Sequence, residues 1–511
     1  MRQRNSIRNA LIGLIGQILT MLTSFVCRMV FTRMLSANFL GIEGYFSNIL
    51  VLLSLSELGI GTAITYFMYK PIAENDTEKL KQLSYLYKLL YACVGTFVLV
   101  AGIILTPFIH LLIKEVPEEI QHIQIIFMLY ILNLALSYFF SYRRVIIEAH
   151  QQMYITSAYS YFLTLGQHIA QIIILLLTRN FILYLIMQVL TTFLINFAIA
   201  LKSKKMYPYA SEKPINKLPK YEIKEIFRNV KAMFMHRIGN AVVNGTDNIL
   251  IAKFSGLIDT GIYSNYYLIV KSLTNILSVI FNGLTASVGN LSVLSDKKYV
   301  REVFEKLNFF DYCLFSFASI SYFVVSEPFM KLCFGESYVF PVYVSVIIAF
   351  NFYLSGMRQV TLRFRDAMGL FYKDRYKAVA ESIINLVVSL ILAKYFGLIG
   401  VFWGTAISTL TTSAWVEPYI LYKYGFEEKC GSYFKEYLIY GLITVCAGGI
   451  TYGVSMLYQG NLLLKLIYNI LICLIIPNMI NWLLFRKSTV FIYWKKFAFA
   501  KLSGIKHRNI Q

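Results

Sequence analysis

The chain has 511 residues, of which 57% are hydrophobic and only 15% are charged, and its formal net charge is +21. Soluble proteins carry about 25% charged residues, so this composition excludes a soluble globular protein. The basic residues collect in alternate predicted loops, as membrane topology requires, so we expect membrane lipid as a partner and no nucleic acid.

Apolar segments of about 20 residues, long enough to cross a bilayer, follow one another along the chain. The first begins soon after Met1 and lacks a small-residue cleavage site, so we interpret it as a retained span rather than a signal peptide. The predicted spans lie near residues 9–34, 41–69, 86–112, 120–142, 155–178, 181–201, 228–253, 260–293, 304–326, 340–362, 377–396, 398–421, 434–457 and 462–485. They predict an all-α polytopic membrane protein with about 14 transmembrane helices.

Loops rich in Lys and Arg alternate with loops that are poor in both. Basic residues collect at the amino terminus, in the 202–224 stretch, in the 363–377 loop and in the 486–511 tail. The loops that alternate with the basic ones are short and poor in Lys and Arg. The positive-inside rule then places both termini in the cytoplasm. The loops on the other side are too short to build the catalytic site of a glycan polymerase or glycosyltransferase, so we expect a transporter and not an enzyme.

A sequence repeat with an offset of about 220 residues relates the two halves of the chain. Leu40-Gly41-Ile42 aligns with Thr260-Gly261-Ile262, Lys88-Leu89 with Lys306-Leu307, and Glu148-Ala149 with Asp366-Ala367. Six spans precede the linker, and because six is even, the repeats are parallel, and rocking between them would give alternating access. The predicted domains are a six-helix lobe at 1–202, a cytoplasmic linker at 203–224, a second six-helix lobe at 225–425, two additional helices at 426–485 and a basic cytoplasmic tail at 486–511.

Charged residues inside the spans are the candidates for a binding site. An ionised side chain at the bilayer centre costs at least about 2.5–3.5 kcal/mol, so those retained usually face a wet interior. The candidate substrate-binding cations are Arg28, Arg33, Arg237, Lys271 and Arg358. The candidate carboxylates for ion coupling or charge pairing are Glu57, Asp247 and Asp311.

Simpler interpretations stand beside some of these candidates. Arg33 lies one turn from the outer end of its span, where snorkelling to the interface is the alternative. Arg358 and Glu381 lie within reach of the cytoplasmic surface, where the alternative is solvation. His168 fits the pattern of a hydrogen-bonded packing histidine. The seven scattered cysteines have no metal-ligand spacing, so we expect no metal site.

An excess of deep cations over carboxylates would make a chamber that attracts anions, because Coulomb energies rise as the dielectric falls. The phosphates of a lipid-linked sugar suit such a chamber, since arginine can bind them bidentately. A cation exporter would need the reverse, a cavity dominated by Asp and Glu. Coupling to Na⁺ or H⁺ is a hypothesis motivated by Glu57, Asp247 and Asp311, and we expect no other cofactor.

Four motifs resemble those of a known family. They are SFVCRMVF at 24–31, LGIEGYF at 40–46, ELGIGTA at 57–63 and IYSNY at 262–266. Together and in this order they resemble the polysaccharide (O-antigen type) flippases of the multidrug/oligosaccharidyl-lipid/polysaccharide exporter superfamily. The resemblance implies a V-shaped, two-lobed bundle with a central cationic cavity. Arg28 matches the family's basic position in the first span, and Lys271 falls where the eighth span often offers a cation.

The resemblance implies a flippase of the bacterial cytoplasmic membrane. It would move an undecaprenyl-pyrophosphate-linked oligosaccharide from the inner to the outer leaflet, for surface or capsular polysaccharide synthesis, and other polysaccharide-assembly proteins are conceivable partners. Two alternatives stay open. One is an exporter of lipid II or of a teichoic- or teichuronic-type precursor, because fourteen spans is similar to the lipid II flippases, whose last two helices form a groove for the lipid tail. The other is a cation-coupled multidrug antiporter on the same fold.

Overall fold

The computed structural model of the chain divides into two compact units, Met1–Ser264 and Asn265–Gln511. It describes residues 2–54, 67–68, 71–72, 74–109, 119–120, 122–150, 152–282, 288, 291, 296–370, 373–374 and 376–502. Within these ranges the side chains of residues 2–11, 14, 52, 211, 229, 231–245, 279–280, 282 and 498–502 are not described. The repeat-based domain boundaries remain predictions.

The first unit is built from helices in its described part. A short 3₁₀ turn at Thr106–Phe108 follows α3, and another at Pro208–Ser211 lies in the predicted linker. The last helix, α9, begins in this unit and continues into the next. The helices are α1 Arg2–Met34, α2 Ala37–Leu53, α3 Thr77–Leu105, α4 Ile123–Phe139, α5 Ser141–Ala149, α6 Met153–Thr178, α7 Phe181–Met206, α8 Lys220–Phe254 and α9 Leu257–Asn282.

The second unit is also helical where it is described. A π-helical turn at Leu421–Phe426 ends one of its predicted spans. An aromatic cluster in this unit packs Phe304 against Phe364, Tyr422 and Phe426. The helices are α10 Lys297–Phe334, α11 Val342–Gly356, α12 Gln359–Ala367, α13 Lys377–Phe396, α14 Leu398–Thr411, α15 Ser413–Ile420, α16 Gly431–Ser455, α17 Leu462–Phe485 and α18 Thr489–Leu502.

Polar residues fix the starts of several apolar helices. The side chains of Asp76, Asn180, Asp296 and Asn461 accept hydrogen bonds of 2.8–3.1 Å from amides in the first turn of α3, α7, α10 and α17. The first four amides of a helix have no partner within it, and a capping oxygen satisfies one or two of them. These caps explain why the helices begin where the loops of the sequence end.

Eight described helices are long and apolar enough to cross a membrane, and the bent pair α4–α5 makes a ninth if it is one span. The other predicted spans fall on helices that are shorter or more polar, such as α2 with 17 residues and α11 with 15 residues. Large apolar side chains such as Phe162 and Leu177 are 76% and 79% exposed, as expected where lipid covers the surface. The all-α polytopic architecture is confirmed.

One span is broken at the corresponding place in each repeat. In the first repeat α4 ends at Phe139 and α5 continues after a 43° bend. In the second repeat α11 ends at Gly356 and α12 follows after two residues. Both α5 and α12 have nine residues, and both end at the Ala149 and Ala367 that the sequence repeat aligns. The repeat in the sequence is therefore a repeat of local structure.

Glycines allow the repeats to meet closely within the first unit. A Cβ atom on Gly41 of α2 would overlap the carbonyl oxygen of Leu257 at the start of α9. A Cβ atom on Gly261 would overlap the carbonyl oxygen of Ala37 in the same way. Leu257 and Gly261 are the repeat counterparts of Ala37 and Gly41, so the contact is reciprocal, as a pseudo-two-fold axis requires.

Loops that were predicted to share one side of the membrane contact one another. Lys81, at the start of α3, forms an ion pair of 2.7 Å with Glu212 of the linker. On the predicted opposite side, Glu119 accepts hydrogen bonds from Ser36 at 2.6 Å and from Asn38 at 2.5 Å. These contacts agree with the predicted alternation of the loops.

Candidate substrate-binding site

A polar face runs along α9. Tyr267, Lys271 and Asn275 are spaced four residues apart, so they lie on one side of the helix, and all three are exposed. Lys271 is the fifteenth of the 26 residues of α9, about 21 Å along the helix axis from its start. Within the described part of the chain Lys271 forms no ion pair. In a helix that crosses a membrane, a cation at mid-length without an ion pair indicates a water-filled surface rather than a lipid-facing one.

The opposite face of α9 borders an apolar groove. Ile269 and Leu273 contribute to it, and since they lie two residues to either side of Lys271, they point away from that side chain. The groove has a volume of about 290 Å³ and opens to the surface of the second unit. It lies between α9, α10 and α17, and its lining also includes Phe317, Ser321, Tyr322, Val325, Ser326, Phe329, Ile470, Cys473 and Leu474.

Arg28 is neutralised by a carboxylate. On α1 its guanidinium donates to Glu43 of α2, and the two side chains are 14% and 25% exposed. The guanidinium also lies 5.9 Å from the ring centroid of Phe31. Arg33 lies in the last turn of α1 and is exposed, as expected of a side chain that snorkels to the interface. Arg28 therefore forms one half of an ion pair rather than a single free charge.

Arg358 is the centre of a buried ionic cluster, which we call the α12 cluster and define as Arg358, Lys377, Glu381 and Glu417. Arg358 donates to both carboxylate oxygens of Glu417 at 3.0 and 2.7 Å, and to Glu381 at 3.5 Å. Lys377 donates to the same Glu417 carboxylate, which is fully buried. Two cations and two carboxylates make the cluster electrically neutral.

The α12 cluster excludes the alternative interpretation that Arg358 and Glu381 are solvated at the cytoplasmic surface. Arg358 and Glu381 are not solvated, because their side chains are 18% and 8% exposed and they pair with each other. Hydroxyl groups of Ser413 and Thr409 complete the shell of Glu381, at 2.6 and 3.3 Å. Sequence reasoning missed Glu417, although its charge inside the predicted span 398–421 was the signal that could have identified it.

Asp311 is a buried carboxyl with poor hydrogen bonding. It is 0% exposed on α10, and neither oxygen has a hydrogen bond of normal geometry in the described part of the protein. One polar group near it is the backbone amide of Val360, in the first turn of α12. The positive end of the helix dipole favours a carboxyl there. One oxygen of Asp247, on α8, likewise has no partner among the described residues.

Of the other candidates, His168 packs against a neighbouring helix, whereas Glu57 and the side chain of Arg237 lie outside the part of the chain that the structure describes. His168 accepts or donates a 2.9 Å hydrogen bond with Thr23 of α1, as predicted for a packing histidine. Glu57 lies outside the described residues, and Arg237 lies on α8 but its side chain is not described. In the described residues no group of three or more His, Cys, Asp or Glu side chains could hold a metal ion. Of the described candidate cations, Lys271 is thus the deep one that lacks a carboxylate.

Comparison with known proteins identifies the fold and the family. A lipid II flippase MurJ in an inward-closed conformation superposes with a TM-score of 0.64 at 13% identity, over 94% of this chain and 99% of that one. An inward-facing multidrug resistance MATE family transporter of the MOP superfamily gives 0.62 at 14% identity, over 80% and 96%. A mutant of the Vibrio cholerae MATE transporter VcmN gives 0.52 at 14% identity, over 81% and 96%.

A search of curated protein sequences found no match. The family described as "Polysaccharide biosynthesis protein" matches residues 6–285, more than half of the chain. The likeness to solved structures extends that match to the fold of the whole chain, which agrees with the resemblance carried by the four sequence motifs. The protein belongs to the polysaccharide biosynthesis protein family, and its fold is similar to the folds of the lipid II flippase and of the MATE transporters of the MOP superfamily.

Proposed function

We propose that this protein is a flippase for an undecaprenyl-pyrophosphate-linked oligosaccharide. It would act in the bacterial cytoplasmic membrane with both termini in the cytoplasm, and move its substrate from the inner to the outer leaflet for surface polysaccharide synthesis. The family match supports a role in polysaccharide synthesis. The observation that carries the proposal is Lys271, an exposed mid-span cation with no carboxylate partner among the described residues.

The polar face of α9 suits a phosphorylated sugar. The Lys271 ammonium can donate to phosphate oxygens, and a hydrogen bond to a charged group contributes about 1.5–3 kcal/mol. Asn275, one turn on, offers a donor and an acceptor to sugar hydroxyls, and Tyr267, one turn back, offers an aromatic face. Arg28, Arg33 and Arg237 are further candidate phosphate ligands, with Arg28 available only when its pair with Glu43 opens.

The apolar groove suits the other end of the substrate. A polyprenyl chain has no polar atoms, and the groove between α9, α10 and α17 presents mainly apolar side chains. In this proposal the chain lies in the groove while the headgroup crosses along the polar face of α9. The membrane potential assists, because export of each negative charge gains about 2.3 kcal/mol per 100 mV.

The test is Lys271→Ala, with Lys394→Ala as the matched control, since Lys394 is exposed in the last turn of α13. Both variants are reconstituted into liposomes with a fluorescent polyprenyl-pyrophosphate-linked sugar, and flipping is followed by quenching from outside. We expect Lys271→Ala to lower the rate at least about tenfold and the control to leave it unchanged. Equal rates for the two variants, at equal reconstitution, would refute the proposal.

Coupling to Na⁺ or H⁺ is a further part of this proposal. Asp311 supports it, because a buried carboxyl without normal hydrogen bonds can gain stabilisation from a proton or a cation. Glu57 and Asp247 are the other candidates. Asp311→Asn should retain flipping in the liposome assay but lose its response to an imposed Na⁺ or pH gradient. A variant that keeps the wild-type response would remove Asp311 from the coupling step.

Two rival substrate classes can be distinguished with the same reconstituted liposomes. The likeness to MATE transporters favours a multidrug antiporter as the second candidate. Its signature would be efflux of a cationic dye that is lost in Asp247→Asn while glycan flipping is intact. A preference for lipid II, or for a teichoic- or teichuronic-type precursor, over an oligosaccharide diphosphate would assign the alternative glycan class.

A further inference from the structure

The chain beyond the last predicted span is basic without any acidic residue. Residues 486–511 contain seven Lys and Arg residues and no Asp or Glu. Three residues connect α17 to α18, and Ser488 accepts a hydrogen bond of 3.2 Å from the amide of Phe491 in the first turn of α18. The short capped connection holds the start of α18 close to the end of the last span.

The end of α17 marks the membrane boundary. Its last turn exposes Trp482, Leu483 and Leu484 by 47%, 49% and 58%, and such a run of exposed apolar side chains requires lipid. Arg486 and Lys487 follow at once and are exposed. The first turn of α18 therefore lies within a few residues of the headgroup layer.

One face of α18 is fastened to α10. The indole of Trp494 donates to the carbonyl oxygen of Lys306 at 2.9 Å, and its ring stacks on Phe310 with centroids 4.8 Å apart. The ammonium of Lys306 lies 4.7 Å from the ring centroid of Tyr493. Phe491 packs into the aromatic cluster around Phe309. These contacts turn the opposite face of the helix outward.

The outward face is cationic. Ile492 and Lys496 are exposed on the side of α18 opposite Trp494, and Lys495 is exposed at the edge of that side. With Arg486 and Lys487 they form what we call the α18 face, four cations around one apolar side chain. No residue of the α18 face has an ion pair within the described part of the chain. This combination of charge, apolar side chain and position matches helices that lie in a lipid headgroup layer.

We propose that the α18 face binds anionic phospholipid headgroups of the leaflet that borders the end of α17. The lipid phosphates would replace the missing carboxylates, and Ile492 would reach the acyl boundary. Charge complementarity favours an anionic over a zwitterionic headgroup, because each Lys or Arg near an anionic surface contributes about a fivefold gain in binding. Because Trp494 and Tyr493 contact α10, lipid bound at the α18 face is connected to α10 through these two residues.

The experiment uses the full-length protein in detergent. It is incubated with micelles that contain equal amounts of phosphatidylglycerol and phosphatidylcholine, purified again, and its bound phospholipids are measured by mass spectrometry. The test variant is R486Q/K487Q/K495Q/K496Q. The matched control is K204Q/K205Q/K213Q/K217Q, which removes four exposed positive charges from the end of α7 and the linker.

We expect the wild-type protein and the control to retain phosphatidylglycerol in preference to phosphatidylcholine. The test variant should lose at least about tenfold of that preference, and raised salt should lower it in the wild-type protein. The proposal fails if the test variant keeps the wild-type preference, if the control loses as much, or if the wild-type protein has no preference. A preserved far-UV circular dichroism spectrum establishes that the variants are folded.

Discussion

Replacing Glu417 with Gln tests the energetic account of the α12 cluster. The change keeps the size of the side chain but removes a fully buried negative charge that holds Arg358 at 2.7 and 3.0 Å and also binds Lys377. Glu381 then faces two cations, and the neutral cluster gains a net positive charge. The cation side chains are only 18% and 9% exposed, so water screens the excess charge poorly.

The size of the destabilisation expected for Glu417→Gln follows from the burial of Glu417 and of the cations that it pairs with. Removing one member of a buried ion pair destabilises a protein by about 3–5 kcal/mol, because the remaining charge is left without compensation. For a unit of this size each kcal/mol shifts the midpoint of unfolding by roughly 2–4 °C. We therefore expect Glu417→Gln to lower the apparent unfolding temperature by on the order of 10 °C.

A thiol-reactive dye provides the assay, because Cys27 and Cys473 are buried and become reactive on unfolding. The control is Glu427→Gln, whose pair with Lys297 is exposed by 67% and 52% and should contribute at most about 1 kcal/mol. The double variant K377Q/E417Q restores neutrality and should regain part of the loss. Equal unfolding temperatures for Glu417→Gln and Glu427→Gln would refute the reasoning.

Three further predictions concern other parts of the molecule. Gly41→Ala should destabilise the protein by about 1–3 kcal/mol, because its Cβ would overlap backbone. Gly166→Ala, with nothing within 4 Å, should stabilise it by roughly 0.5–1 kcal/mol, and dye-based unfolding compares the two. Burial lowers the pKa of His150 below its ordinary 6.5, so the unfolded chain binds the proton more readily. Stability should therefore fall as the pH drops below 6.5, and His150→Phe should remove that part of the decrease in unfolding temperature. Asp311→Asn should leave the unfolding temperature unchanged or raise it, since the carboxyl has no normal hydrogen bond to lose, and a marked decrease would contradict this assignment.

The sequence predicted the helices and the repeat because both depend on local patterns. Apolar length identifies a span, and the aligned Glu148-Ala149 and Asp366-Ala367 end equivalent helices, although the break before each helix was not predicted. Pairing of charges depends on which helices touch, and no local pattern encodes it. Arg28 could not be matched to Glu43, nor Arg358 to Glu417, until the helices were in place.

Features that both repeats share differ in kind from features that only one repeat has. The features that occur twice are the broken span and the reciprocal glycine contact, and both are backbone features that two equivalent bundles need alike. Two of the candidate in-span cations, Arg358 and Lys271, occur once. The aligned position of Arg358 is Phe140, at the break between α4 and α5, and the counterpart of Lys271 in the first repeat is Val51.

A neutral residue suffices at these first-repeat positions, so the fold alone does not require a cation there. The α12 cluster neutralises its own charges, so its cations need no anion from outside for charge balance. Lys271 has no such compensation within the described residues, and its exposed ammonium is accessible to an anion from outside. The lack of a carboxylate partner among the described residues, together with its position in the middle of α9, distinguishes Lys271 from the other candidate cations with described side chains.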